Sequence, residues 1–245
     1  MLLLNGLDAQ RTKYDTLERF RRHGTKTVRA LDCDVLGEDE VLTQYSQRAR
    51  DEFQFDARVW DLGQFAGRTS GACFWLSLAA GLAERGPNVL AQALPGNSPA
   101  HRAVGRLRAQ GVQRCVDAGV RHSPLGVVAE GLRTRFCGGD AAVMLRADTK
   151  DRIYLAFAGL DVRGPVRNEA MYTRWVQKLA THEYADELVV MAVAIELRIR
   201  ITIIPYTPPT ALAQWATPTY GPESATVVVH MGNNDLHYVY LSRGS

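Results

Sequence analysis

The sequence predicts a mixed α+β fold, in which helices come first and strands are grouped at the end. Helical spacing of apolar residues dominates the first two thirds of the chain, and strand-like segments lie near its end. Residues 188–195 are nearly all apolar, which predicts a helix buried in the core. With 245 residues, 46% of them hydrophobic and 22% charged, the chain is long enough for one large domain or a domain with an appendage.

The first 56 residues predict a helical extension, and the main domain is expected at 57–245. Two helices are predicted in the extension, at 14–22 and Glu38–Phe53. Residues 11–29 are rich in Arg and Lys, but no interleaved aromatic residues or motif accompany them, so a solvated helical face is favoured over nucleic-acid contact. The formal net charge of +3 is small, so neither nucleic acid nor a membrane is expected as a partner.

No apolar run reaches the length that spans a bilayer, and residues 1–4 are too short for a signal-peptide core. We therefore expect an intracellular protein, in the cytoplasm or, for a protein of a virus or pathogen, in the host cytoplasm. The four cysteines, at 33, 73, 115 and 137, form no C-x-x-C pair. Neither a disulfide framework nor a zinc site is expected, and no cofactor is implied.

The elements of the main domain are predicted in chain order. Residues 57–62 form a short apolar segment that leads into the core, and Ser98 is a candidate N-cap for a helix through Arg108. The later segments predict a strand at 152–157, helices ending at Leu179 and spanning 185–196, strands at 199–204, 225–230 and 237–241, and a turn at 232–235.

Cys73 lies where small residues lead into a strongly apolar helix. Ser70 is a candidate N-cap, which would put Cys73 in the first helical turn. Backbone N–H groups and the helix dipole stabilise a thiolate at such a position, and the same N–H groups can bind an oxyanion. The alternative is packing alone, since cysteine is among the most buried residue types.

A thiolate nucleophile needs a base, and His237 is the best candidate. It begins a strand directly after a polar turn and precedes an aromatic residue. His230 is interpreted instead as a structural histidine at the end of the preceding strand, and His101 and His122 as surface or loop residues.

Three blocks of sequence together resemble the ovarian tumour (OTU) family of cysteine deubiquitinases. They are SGACFW at 70–75, EYADEL at 183–188 leading into IRITI at 199–203, and GNNDLHY at 232–238. The blocks follow the order of the family, and the resemblance covers roughly residues 61–242. It implies a papain-like OTU fold, with a small central sheet packed between helices.

The resemblance implies that Cys73 is the nucleophile and His237 the general base. Ser70 and the backbone N–H groups of 71–73 would form the oxyanion hole, and no metal is involved. The implied reaction is hydrolysis of a peptide or isopeptide bond after the C-terminal glycine of ubiquitin or a ubiquitin-like modifier, whose conjugates are the expected partners. Ser70 stands where the family has an aspartate, and Ala72 where it has an asparagine.

The residue that would orient His237 is left open by the sequence. Val239 occupies the family's usual position and cannot orient an imidazole. The candidates are Asp61, Asn234 and Asp235, or the enzyme works as a dyad. Two other functions remain as alternatives: a papain-like peptidase that processes its own polyprotein, and an inactive OTU-like module that only binds ubiquitin.

Overall fold

The computed structural model describes residues 38–63, 71–157, 169–207, 216–234 and 237–243. Within these ranges the chain forms eight α-helices and a five-stranded mixed sheet, which confirms the α+β prediction. The helices are α1 (Glu38–Phe53), α2 (Cys73–Arg85), α3 (Pro87–Ala93), α4 (Pro99–Asp117), α5 (Pro124–Cys137), α6 (Ala147–Phe157), α7 (Glu169–Leu179) and α8 (Glu187–Leu197). The strands are β1 (Ala57–Trp60), β2 (Arg200–Pro205), β3 (Thr219–Tyr220), β4 (Val228–Asn234) and β5 (His237–Arg243).

The sheet has the strand order β1-β5-β4-β2-β3. The pair β2–β4 is parallel, and the other three pairs are antiparallel. Because side chains alternate along a strand, each strand contributes to both faces of the sheet. Ile201, Val229 and Tyr240 belong to the large core that includes α2, α5 and α8. Ile204 and Leu241 pack on the opposite face with residues of α1, so the sheet lies between α1 and the helices of the large core.

Helix α1 is attached to the sheet by apolar and polar contacts. Tyr45 and Ala49 are 1% and 0% exposed in the smaller core, to which Ala57 and Val59 of β1 also contribute. Gln44 forms two hydrogen bonds with the backbone of Thr207, at 2.8 and 2.7 Å. The predicted domain boundary at residue 56 therefore falls between two elements that share this core. The helix predicted at 14–22 and the basic residues of 11–29 lie outside the described residues.

The side chain of Ser98 accepts a hydrogen bond from the backbone N–H of His101, which confirms the predicted N-cap of α4. Helix α4 is interrupted at Gly111, whose φ of 73° and ψ of 169° are non-helical, and a second helical segment then runs to Asp117. The first segment is therefore close to the predicted helix through Arg108. Ser123 caps α5 in the same way. None of the described helices combines the length and apolar character needed to cross a membrane.

Several local predictions were wrong. Residues 152–157 form the end of α6 rather than a strand, and the burial of Thr149 and Ile153, four residues apart, shows the helical face that a short window misses. Residues 232–234 of the turn predicted at 232–235 belong to β4 instead, whose last residue, Asn234, pairs with His237 at the start of β5. His230 therefore lies inside β4 rather than at its end.

Asp186 is the N-cap of α8, and its carboxylate accepts hydrogen bonds from the N–H groups of Leu188 and Val189. Burial raises the pKa of this carboxyl to about 7, although the two backbone hydrogen bonds act in the opposite direction. The folded state therefore binds a proton that the unfolded chain has lost, and ionisation of Asp186 reduces stability as the pH rises from about 4 through 7.

Asp186→Asn is expected to remove this pH dependence, because asparagine retains the capping oxygen without the charge. Relative to the unsubstituted protein, the variant should gain roughly 1–2 kcal/mol in free energy of unfolding between pH 5 and pH 8. Urea unfolding of both proteins at the two pH values measures this difference. Parallel stability changes in the two proteins would contradict it.

Candidate active site

Two elements bring Cys73 and His237 together. Cys73 is the first residue of α2, and His237 is the first residue of β5. The first turns of α2 are attached to the neighbour of His237: the rings of Phe74 and Tyr238 meet edge to face at 5.3 Å, and the hydroxyl of Ser77 donates to the carbonyl oxygen of Tyr238 at 3.4 Å. The two predicted site residues are therefore fixed relative to each other by the packing of α2 on β5.

The end of β1 supplies a third side chain. Because β1 is antiparallel to β5 and its last residue, Trp60, pairs with Tyr240, the chain beyond β1 runs toward the start of β5. Asp61 follows directly, and Nε2 of His237 donates a hydrogen bond to its Oδ1 at 2.8 Å. Both side chains are partly exposed, at 33% for His237 and 26% for Asp61. Since Asp61 takes Nε2, Nδ1 is the ring nitrogen left for Cys73.

The protonation of His237 reflects these contacts. Burial alone would lower its pKa, but the hydrogen bonds with Asp61 and Cys73, together with their charges, raise it from the ordinary 6.5 to about 10. The imidazole is therefore protonated at neutral pH. A protonated histidine next to a cysteine favours the thiolate, which is the nucleophilic form.

The start of α2 differs in detail from the prediction. Ala72 rather than Ser70 is the N-cap, and no side chain caps the helix, so Cys73 is its first residue. The N–H of Leu76 donates the first hydrogen bond of α2, to the carbonyl oxygen of Ala72 at 2.9 Å. The N–H groups of the residues before Leu76 have no acceptor within the helix, as at the start of any α-helix. Ser70, the predicted oxyanion-hole residue, lies outside the described residues.

Gly71 fixes the approach to this helix. Its φ of +59° is in the left-handed region, and a Cβ there would collide with the carbonyl oxygen of Glu183. The segment before Cys73 therefore lies directly against the backbone of 182–183, in the second of the three sequence blocks. Tyr184 packs against the edge of the main core, and Asp186, two residues later, caps α8.

The structure distinguishes among the candidates for orienting His237. Of the candidates that lie in the described residues, Asp61 is the one whose side chain contacts the ring. Asn234 is the backbone pairing partner of His237 in the antiparallel hairpin of β4 and β5. Asp235 lies outside the described residues. Asn233, which sequence reasoning missed, donates from Nδ2 to the carbonyl oxygen of His237 at 3.4 Å and so holds the backbone of the hairpin.

A scan of the chain against protein-family models finds no match, and a search of the curated proteins finds no similar sequence. The OTU resemblance therefore stays a prediction, which rests on the three sequence blocks.

The other histidines and cysteines have different surroundings. His230 lies between the rings of Phe53 and Phe55, and burial together with nearby arginines lowers its pKa to about 4, so it is a neutral packing residue. Cys115 and Cys137 are buried thiols, and burial raises the pKa of Cys137 to about 12. Cys33 lies outside the described residues. In the part of the chain that the structure describes, no three His, Cys, Asp or Glu side chains are grouped to hold a metal ion.

Proposed function

We propose that this chain is a cysteine hydrolase of the OTU type. Its substrate would be the peptide or isopeptide bond after the C-terminal glycine of ubiquitin or a ubiquitin-like modifier. The observation that carries the reaction type is the continuous chain of contacts from Asp61 through His237 to Cys73. Such a chain is the arrangement that activates a thiol nucleophile on unrelated folds. The choice of modifier rests on the three sequence blocks.

The resting state would be a thiolate on Cys73 paired with protonated His237. The sulfur attacks the carbonyl carbon of the scissile bond, and the π electron pair moves to the oxygen. N–H groups in the first turn of α2 are suited to stabilise that oxyanion, and each donor in such a site contributes roughly 3 kcal/mol. When the oxyanion collapses, the C–N bond breaks and the leaving amine takes the proton from His237.

The second half of the reaction regenerates the enzyme. Neutral His237 accepts a proton from water as the water oxygen attacks the thioester carbonyl. The C–S bond then breaks, the modifier leaves with a free carboxyl group that releases its proton to solvent, and the thiolate–imidazolium pair is restored. Asp61 would keep Nε2 occupied throughout, so that Nδ1 faces the reacting atoms.

Ubiquitin with an electrophilic group at its C-terminus tests the proposal. The expected result is one covalent adduct per chain, which mass spectrometry of the digested protein locates at Cys73. Cys73→Ala should abolish the adduct, and Cys115→Ala, which changes a buried thiol elsewhere, should retain it.

Other outcomes have defined meanings. Measurable ubiquitin binding without an adduct would contradict hydrolysis and favour the ubiquitin-binding module. Adducts only with probes made from other ubiquitin-like proteins would retain the chemistry and change the modifier. An adduct that persists in Cys73→Ala would rule out Cys73 as the nucleophile.

A further inference from the structure

Gly63 lies at the centre of the site, although glycine has no side chain that could take part in the chemistry. It is buried, and it follows Asp61 by two residues, with the fully buried Leu62 between them. Leu62 belongs to the main core and anchors the segment. Asp61 and Gly63 therefore both reach the site from a short stretch of chain that is fixed in its middle.

A side chain at Gly63 has no room. A Cβ there would lie 2.7 Å from Cβ of Cys73 and 2.8 Å from Cε1 of His237, and 3.4 Å from Cα of Cys73. Ordinary carbon–carbon contacts are about 3.5–4.0 Å. The backbone of Gly63 thus lies against both members of the proposed catalytic pair at once.

None of the neighbours can move away without loss. Cys73 is fixed through the first turn of α2, which is attached to Tyr238. In the imidazole ring Cε1 is bonded to both nitrogens, so displacing it shifts Nδ1 and Nε2 together. A shift of the Gly63 backbone instead pulls on Asp61, two residues away, and on its 2.8 Å hydrogen bond with His237.

We propose that Gly63 is a positioning residue, and that its missing side chain sets the distance between Cys73 and His237. The consequence for turnover rests on the proposed function. The consequence for the reactivity of Cys73 does not, because the Cys73–His237 contact exists without any substrate.

Gly63→Ala tests the proposal, with Gly105→Ala as the matched control. Gly105 lies in α4, and a Cβ there would meet nothing within 4 Å. For Gly63→Ala we expect kcat on a fluorogenic ubiquitin C-terminal substrate to fall about 100-fold with KM unchanged, since small misplacements of reacting groups have effects of this size. Gly105→Ala should match the unsubstituted protein.

The second readout is alkylation of Cys73 by iodoacetamide at pH 6, followed by mass spectrometry. Gly63→Ala should slow it about tenfold per folded molecule, because the protonated ring no longer assists the thiolate. If the parent protein turns over no ubiquitin substrate, the proposed function fails, and the alkylation rates still decide the role of Gly63. Unchanged kcat and alkylation in folded Gly63→Ala would overturn the positioning role.

Thermal unfolding covers the case in which Gly63→Ala is too unstable to assay. The substitution is repeated in a His237→Ala background, where the contact at Cε1 no longer exists. If Gly63→Ala lowers the melting temperature less in that background, the close contact between residue 63 and His237 is supported. An equal loss in both backgrounds would overturn the proposed positioning role.

Discussion

Replacing His237 with alanine is expected to reduce turnover of a ubiquitin C-terminal substrate by about 10⁴-fold or more. The variant loses the proton donor for the leaving amine, the base for the attacking water and the positive charge next to Cys73. Burial alone would lower the pKa of the His237 imidazole, but Asp61 and Cys73 raise it to about 10. Alkylation of Cys73 at pH 6 should therefore slow as well, because no imidazolium remains to favour the thiolate.

His122→Ala is the matched control for this experiment. His122 is exposed in a short 3₁₀ helix, and its replacement should leave both turnover and alkylation unchanged. Circular dichroism and the melting temperature establish whether His237→Ala is folded. Turnover retained within tenfold in folded His237→Ala would contradict its role as the acid and base.

The elements that were predicted best are those with a strong local signal. Helix α1 has the predicted bounds, Glu38–Phe53, and α8 is displaced by one or two residues from the predicted 185–196. Helix α8 has a nearly continuous apolar run, whereas α1 has sparse apolar residues at helical spacing in a charged segment, and each pattern extends over more than ten residues. The segment 152–157 is strand-like in sequence because five of its six residues are β-branched, aromatic or apolar. Such a short run fits a helix equally well, and only the preceding turn of α6 decides between the two.

The site residues likewise differ in how strongly the local sequence indicates them. Cys73 and His237 are conspicuous in sequence because each begins an element, and the structure brings them together. Asp61 was one of several alternatives, since 176 residues separate it from His237 and only the pairing of β1 with β5 brings them together. No sequence pattern pointed to Gly63, because its close approach to Cys73 and His237 depends on the tertiary structure.

Asp61→Ala is expected to lower kcat roughly 10³-fold, because the ring of His237 then loses its orientation and its nearest negative charge. Asp61→Asn should lose less. The asparagine Oδ1 still accepts the hydrogen bond from Nε2, but the charge that stabilises the imidazolium is gone. In both variants the pKa of His237 should fall from about 10 toward its ordinary 6.5, since burial is then less strongly opposed.

Three comparisons make this result specific to Asp61. Asp56→Asn changes an exposed aspartate whose partner is Arg50 on the surface, and it should leave kcat unchanged. Asn234→Ala and Asp235→Asn replace the other two candidates, and each should retain most of the turnover. The pKa of His237 can be followed directly by NMR titration of the ring protons. A larger loss of kcat in Asn234→Ala or Asp235→Asn than in Asp61→Ala would move the orienting role to the hairpin. An unshifted His237 titration in Asp61→Ala would show that Asp61 does not control the charge of the ring.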